Sequence, residues 1–213
     1  MFFAAFPVEM VTLLAFLPAA LALNLTPGAD MMFVLAQGLK GGARAGMAAN
    51  LGIALGCFVH VLVAGLGLAA LLKAYPMAFE VIRWGGVAYL IWLAFRSWNA
   101  GRPQIVQVAR SPGLRIFREA LVVNLLNPKV ALFILAFLPQ FVAAARPVLP
   151  QFLALGVIIC AGGLVVNGAV GIFAGRIGRV LLRSDRAATA MNRVTGGIFA
   201  ALALRLAIME RTA

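Results

Sequence analysis

The stretch Asn24-Leu25-Thr26-Pro27-Gly28-Ala29-Asp30 decides how this chain folds. It lies in a run that otherwise reads as one apolar helix, with Asp30 the only charge between Val11 and Val34. Pro27 lacks an N–H and collides with the preceding turn, and Gly28 loosens the turn after it. A helix carrying that pair in hydrocarbon breaks there. Its freed backbone groups then need partners in protein or in a water-filled cavity. Asp30 sits one turn past the break, where a charge costs about 2.5–3.5 kcal/mol on insertion scales. Three unfavourable features so close together mark a site.

The surrounding composition sets the solvent. The chain has 213 residues, of which 64% are hydrophobic and only 11% charged, against about 25% charged in an average soluble domain. Mean hydropathy is +1.03. An all-α integral membrane protein is expected, with residues 1–213 forming one transmembrane domain and no soluble partner domain. The net charge of +12 does not point to nucleic acid. The basic residues gather in short loops between apolar segments, which is what membrane orientation produces. Cys57 and Cys160 are isolated in apolar stretches and read as small packing residues. Without a Cys-x-x-Cys or a Cys/His cluster, neither a metal site nor a cofactor is expected. Ala20-Leu21-Ala22 has the look of a signal cleavage site, but no Lys or Arg precedes the apolar run. The first segment is therefore expected to stay in the mature protein.

Six segments are long enough to span, at about 20 apolar residues each. They cover roughly 8–37, 47–72, 81–98, 119–142, 149–174 and 192–209. The loops between them alternate in charge. One side collects Lys40, Arg44, Arg96, Arg102, Arg110, Arg115, Arg118, Arg176, Arg179, Arg183, Arg186 and Arg193. The other has Lys73, Arg83, Arg146, Arg205 and Arg211. The richer side is expected to be cytoplasmic, which puts both termini in the periplasm. Gly42-Ala43-Arg44-Ala45-Gly46 reads as a tight basic turn on the cytoplasmic side. Gly52/Gly56 and Gly171/Gly175 have small-xxx-small spacing, which lets helices approach closely. Packing within one chain is the first expectation, and a homodimer the second.

Shifting the chain by about 100 residues lays it on itself. Asn24-Leu25 falls on Asn124-Leu125, and Phe33-Val34-Leu35-Ala36 on Phe133-Ile134-Leu135-Ala136. Ile53-Ala54-Leu55-Gly56 falls on Leu153-Ala154-Leu155-Gly156, and, with a longer offset, Gly85-Gly86-Val87 on Gly196-Gly197-Ile198. Repeat one covers about 8–98, a loop 99–117, and repeat two about 118–209. Each repeat holds three spans, an odd number, so the two run in opposite senses through the bilayer. The expectation is a 3+3 inverted-topology repeat of six transmembrane helices, typical of secondary transporters with a midplane site. The second repeat carries its own interruption, Asn124-Leu125-Leu126-Asn127-Pro128-Lys129, with proline displaced by one. Segments one and four are thus both expected to break near the midplane. Thr26 and Asn127 suit N-caps, and Pro27 and Pro128 the first helical position. Each restarted half-helix presents unpaired N–H groups to an anion such as a carboxylate.

Asp30 and Lys129 are the deep charges, and they flank the two breaks. In one reading Asp30 holds a substrate ammonium or a coupling proton, while Lys129 and the half-helix N-termini receive a carboxylate. In the other, the two form a structural ion pair that neutralises buried charge. Asn24 and Asn124 stand beside the breaks, where they contact substrate or satisfy freed carbonyls. His60, the single histidine, shares a face with Gly52 and Gly56 and either relays protons or packs. Asn50, Tyr89, Asn167 and Thr195 read first as interhelical hydrogen-bonding groups. The site expected is therefore Asn24, Thr26, Pro27, Gly28, Asp30, Asn124, Asn127, Pro128 and Lys129 for substrate, with Asp30 and His60 for protons.

Pro27-Gly28-Ala29-Asp30, Gly42-x-Arg44-x-Gly46, Gly52-x3-Gly56, Asn124-x2-Asn127-Pro128-Lys129 and Leu138-Pro139-Gln140-Phe141 together resemble the LysE/RhtB family of amino-acid exporters. The likeness runs over essentially the whole chain in order. The family's first motif is Pro-Gly-Pro-Asp, and here Ala29 replaces its second proline. The resemblance implies a multi-pass protein of the bacterial inner membrane that exports amino acids or close derivatives by proton exchange. It carries over Asp30 and the Asn127-Pro128-Lys129 turn as functional residues. Protons, the amino acid and membrane lipid are the partners it implies. One Asp and one Lys would balance a zwitterion, which leans towards neutral substrates. The alternative is a carrier for another small solute, such as a metal or inorganic ion, although the deep positions lack clustered metal ligands. An enzyme is not expected, since paired carboxylates, a His cluster, a redox dithiol and a nucleotide loop are all missing from the sequence.

Overall fold

A computed structural model describes residues 7–75, 77–101, 107–143, 146–183 and 185–208. Arg102, Arg211 and both chain ends lie outside the described residues, as do the side chains of Lys73, Arg179 and Arg183. Every regular element among the described residues is helical. Helix α1 is Met10–Leu25. It ends because Pro27 disfavours helical backbone at the residue before it, and Thr26 turns extended at φ −67°, ψ 118°. Helix α2, Ala29–Ala74, starts three residues after Thr26.

The 46 residues of α2, if straight, would reach about 69 Å, more than twice a bilayer's hydrocarbon core. They are divided at Gly42, whose φ of 73° is open to glycine and strained for other residues. The division is a sharp corner. Gly38 and Gly46 flank it, and a Cβ added to either would lie within 3 Å of Gly171. Residues eight apart on a straight helix are about 12 Å apart and cannot both touch one glycine. The basic turn expected at residues 42–46 is thus a single residue, with helix resuming immediately after it.

Helix α3 is Ala78–Trp98. Helix α4, Gly113–Leu125, and helix α5, Pro128–Ala136, are separated by Leu126 and Asn127. Together with the 3-10 turn Leu138–Phe141 they form a pair bent by 51°. Helices α6, α7 and α8 are Val148–Ile172, Ala174–Arg183 and Asp185–Ile208. From sequence alone the α7 stretch reads as loop. It is a helix in whose sequence arginine recurs at every third or fourth position.

By length and composition, Ala29–Leu71, Val148–Ile172 and Ala188–Ile208 can each cross a membrane, and the bent α4/α5 pair makes a fourth candidate. Helix α1, at 16 residues, is apolar but short on its own. Large apolar side chains such as Val81, Phe95, Val165 and Leu204 face outward, as a lipid-facing surface requires. Inside, α2 packs on α6 and α4, α3 on α8, and α1 on α6. The interior holds two apolar clusters. The larger joins α1, the second half of α2, α3, α5, α6 and α8 around Phe16, Phe133, Phe137, Phe152 and Phe199. The smaller joins residues 31–35 of α2 to Ala45, Ala49, Ile53, Ile116, Ala120 and Val170. Residues from both clusters line one cavity between them.

Candidate functional site

The two helix interruptions meet at that cavity, and each resolves its freed backbone groups differently. At the second, Asn127 directly precedes Pro128, and its Oδ1 accepts from the Lys129 N–H at 3.0 Å. This is the expected cap. At the first, Thr26 does not cap α2. Pro27 and Gly28 intervene, so its hydroxyl is too far back to reach the first-turn N–H groups of α2. It donates instead to the carbonyl of Ala22, which also accepts from the Thr26 N–H at 3.0 Å. Gly28 takes the cap position with no side-chain bond, and Pro27 precedes it rather than opening the helix. The one-residue displacement of proline between the two interruptions accounts for the difference.

Lys129 spans the gap. Its Nζ donates to the carbonyls of Leu23 at 3.2 Å and Thr26 at 2.9 Å. These belong to the end of α1, where the helix dipole is negative and carbonyls lack intrahelical partners. Gly28 makes room, since a Cβ there would stand 3.2 Å from Nζ. The direct Asp30–Lys129 ion pair does not occur: no such contact lies within 4 Å among the described residues.

Asp30, only 9% exposed, finds Asn124 instead. Its Oδ2 accepts from Asn124 Nδ2 at 2.8 Å. A carboxylate can only accept, so this bond fixes the amide's orientation and leaves Asn124 Oδ1 pointing elsewhere. Both Asn124 Oδ1 and Asp30 Oδ1 are buried without a partner. His60 stands behind this pair, donating from Nε2 to the Asn124 carbonyl at 3.1 Å. Asn24 stands just before the first interruption but turns to α6. Its Nδ2 donates to the Ile159 carbonyl at 3.2 Å, against Gly162 and Gly163.

The cavity measures about 30 Å³. Its wall takes Asn24, Thr26, Asp30, Asn124 and Lys129 from the expected set. Pro27, Gly28, Asn127 and Pro128 shape the breaks behind it. Cys57, Cys160 and Asn167 are not expected there from sequence and are part of the wall. Asn167 Oδ1 is a third buried oxygen without a partner. Cys160 donates to Cys57 across the α2–α6 interface, sulfur to sulfur 3.1 Å. Two signals could have revealed these residues. Under the hundred-residue offset the cysteines differ by three positions, one helical turn. Cys160, Gly163 and Asn167 also follow the i, i+3, i+7 spacing of one helix face. Asn50 and Tyr89 do serve between helices, donating to the carbonyls of Leu164 at 2.8 Å and Lys129 at 3.3 Å.

A family model described as LysE type translocator matches residues 21–210. The chain belongs to this family. A homoserine/homoserine lactone efflux protein of Salmonella typhimurium is 33% identical over 187 residues, covering 87% of this chain and 90% of the relative. A leucine efflux protein of Klebsiella pneumoniae is 30% identical over 207 residues, covering 92% and 95%. An uncharacterized membrane protein of Vibrio cholerae is 33% identical over 197 residues, covering 91% and 95%. No solved structure matches the chain. This LysE type translocator is a multi-pass membrane protein whose named relatives are efflux proteins, not enzymes. Among its described residues no three His, Cys, Asp or Glu side chains gather where they would hold a metal.

Proposed function

We propose that this translocator is a secondary active exporter of amino acids or close derivatives, coupled to protons. The observation that carries the reading is the set of unpaired oxygens at the cavity: Asp30 Oδ1, Asn124 Oδ1 and Asn167 Oδ1. Buried acceptors without donors are costly, and three in one place suit an ammonium group, which supplies three N–H bonds. Lys129 directs two of its protons to α1 and has a third for the substrate's carboxylate. Homoserine, its lactone and leucine, named for the relatives, share the ammonium, and the lactone lacks the carboxylate. The ammonium seat at Asp30 is therefore the primary contact.

Ionised Asp30 holds the ammonium and orients Asn124. Protonated Asp30 loses its charge, and the substrate leaves. A proton from the periplasm then drives release outward, and its loss to the cytoplasm resets the site. A cavity of about 30 Å³ has room for about two waters and none for an amino acid. This conformation is the closed one, with the two apolar clusters acting as gates on either side.

The packing supports an inverted repeat. Helix α1 lies on α6 as α4 lies on α2, while α2 meets α6 and α3 meets α8. A two-fold exchange of the halves reproduces this pattern. Counting α1 with residues 29–41 as one broken span, and α4 with α5 as another, gives six crossings. The breaks then sit near the midplane of a bacterial inner membrane, with both termini in the periplasm. Proteoliposomes loaded with panels of labelled amino acids, including homoserine and leucine, test the proposal under an imposed pH gradient. Wild-type protein should show efflux that rises with the gradient. Asp30→Asn should lose the gradient's effect while keeping its folded yield. Gradient-driven efflux by Asp30→Asn equal to wild type would remove Asp30 from coupling.

A further inference from the structure

A second cavity, of about 600 Å³, opens beside the Gly42 corner. Three cations line it, Lys40, Arg44 and Arg110, with Gln37 and Ser111, and among the described residues no carboxylate faces it. The segment before α4 is tied to α2 here. Arg110 Nε donates to the Lys40 carbonyl at 3.4 Å, and Lys40 Nζ donates to the Val108 carbonyl. Arg44 has no hydrogen bond or ion pair among the described residues. Gln37, 1% exposed, also lines the cavity, and its Nε2 is buried without an acceptor. The wall thus offers spare charged donors, with a buried, unpaired amide directly behind it.

Its position connects it to the central site. Gln37 follows Asp30 by seven residues, two turns along the same face of α2, about 10.5 Å. Between the two cavities lies the smaller apolar cluster, with Met31, Val34, Ile53 and Ile116. A cationic chamber, an apolar barrier and an anionic seat follow one another along one seam.

We propose that this chamber is a receiving station for the substrate's carboxylate on the cytoplasmic side, filled before the barrier opens towards Asp30. It rests on the exporter reading. Clustered charge of one sign in a recess concentrates the opposite charge from solution, and Arg forks match carboxylates. A free amino acid fits the volume. A phospholipid headgroup would need an apolar trough for its chains, and Ala45 and Ile116 are the only apolar side chains in the described wall apart from glycine.

Uptake into inside-out membrane vesicles presents substrate to this face. L-homoserine is compared with its lactone, and L-leucine with L-leucinamide, since the second of each pair has no carboxylate. Arg44→Gln and Arg110→Gln should raise KM for the two acids about fivefold, as expected for one partly exposed charge contact. KM for the lactone and the amide should stay put or fall, which also shows that the variants fold. Equal shifts for acids and their neutral counterparts, or no shift at all, overturn the station while leaving the exporter reading intact. A wild-type protein that carries none of these four compounds and no member of the amino-acid panel removes both. Repeating the comparison in vesicles of phosphatidylcholine alone covers the lipid alternative. A variant effect that vanishes there assigns the chamber to anionic lipid and overturns the proposal.

Discussion

Asn124 is the residue on which the site turns. Its side chain orients Asp30, its carbonyl receives His60, and it sits where α4 stops. Gly56 makes that position available, because a Cβ there would come within 2.6 Å of Asn124 Oδ1 and 2.9 Å of its Cβ. The neighbour is the root of a short side chain on a helix backbone, so it cannot swing away. Gly56→Ala should push α4 off α2 and pull the amide from the carboxylate. Overpacking of this kind costs about 1–3 kcal/mol, and efflux should fall at least about tenfold. Gly67 lies on the same helix with open space around its Cβ position. Gly67→Ala should transport normally and melt no lower than wild type, since Gly→Ala in a helix gains about 0.5–1 kcal/mol. Initial rates and melting curves of the two variants check both claims. At this scale the sequence shows the two deep charges plainly, because a charge in hydrocarbon stands out against its neighbours. It does not show their partners. Whether Lys129 reaches Asp30 or the end of α1 depends on where α1 stops, and a one-residue shift of proline decides that.

Among the elements, the interruptions of α1/α2 and α4/α5 are legible because proline leaves a mark no apolar residue can hide. The corner at Gly42 is legible as a glycine-rich stretch but not as a single residue, since Gly38, Gly41, Gly42 and Gly46 look alike in sequence. Contact separates them: Gly38 and Gly46 press on Gly171, and Gly42 alone needs positive φ. Helix α7 escapes a sequence reading because its arginines resemble loop charge, although they recur at every third or fourth position. The meeting of α2 with α6 has a sharper consequence. In the exporter cycle proposed above, these two helices shift against one another to widen the cavity. Cys57 and Cys160 face each other across that interface. Oxidation by diamide removes two electrons and two protons from the thiols and joins the sulfurs. The bond would hold the closed arrangement. Treated proteoliposomes should lose efflux, and dithiothreitol should restore it. Cys57→Ala should be indifferent to the oxidant, with peptide mass spectrometry reporting the cross-link. Inhibition that persists in Cys57→Ala would mean that another process is responsible.

For the whole molecule, what matters is how charge divides between the two ends. The Gly42 corner with Lys40 and Arg44, the segment before α4 and its first turn with Arg110 and Arg115, and α7 with Arg176 lie at successive turns of the chain on one side. The opposite connections carry few cations, and Arg146 there is already bonded to Glu9 at 2.8 Å. An excess of Lys and Arg resists translocation, which supports the proposed orientation with the rich end in the cytoplasm. The same distribution is readable from sequence, because loop charge needs no contact information. The number of crossings is less so, because α1 is short by itself and the proposed six crossings need it joined to residues 29–41. Those two facts bear on one measurement. If each broken pair is a single span, six crossings return the C-terminus to the side of the N-terminus. If α1 merely dips and returns, the ends part. Alkaline phosphatase, active only in the periplasm, and green fluorescent protein, bright only in the cytoplasm, can be fused after residue 208 and within residues 99–112. The C-terminal phosphatase fusion should be active and its fluorescent counterpart dark, with the reverse at 99–112. An N-terminal fusion led by its own signal sequence should agree with the C-terminal one. Opposite signals from the two ends would mean five crossings, and the two-fold relation between the repeats, with the proposed alternation around Asp30, would fall with it.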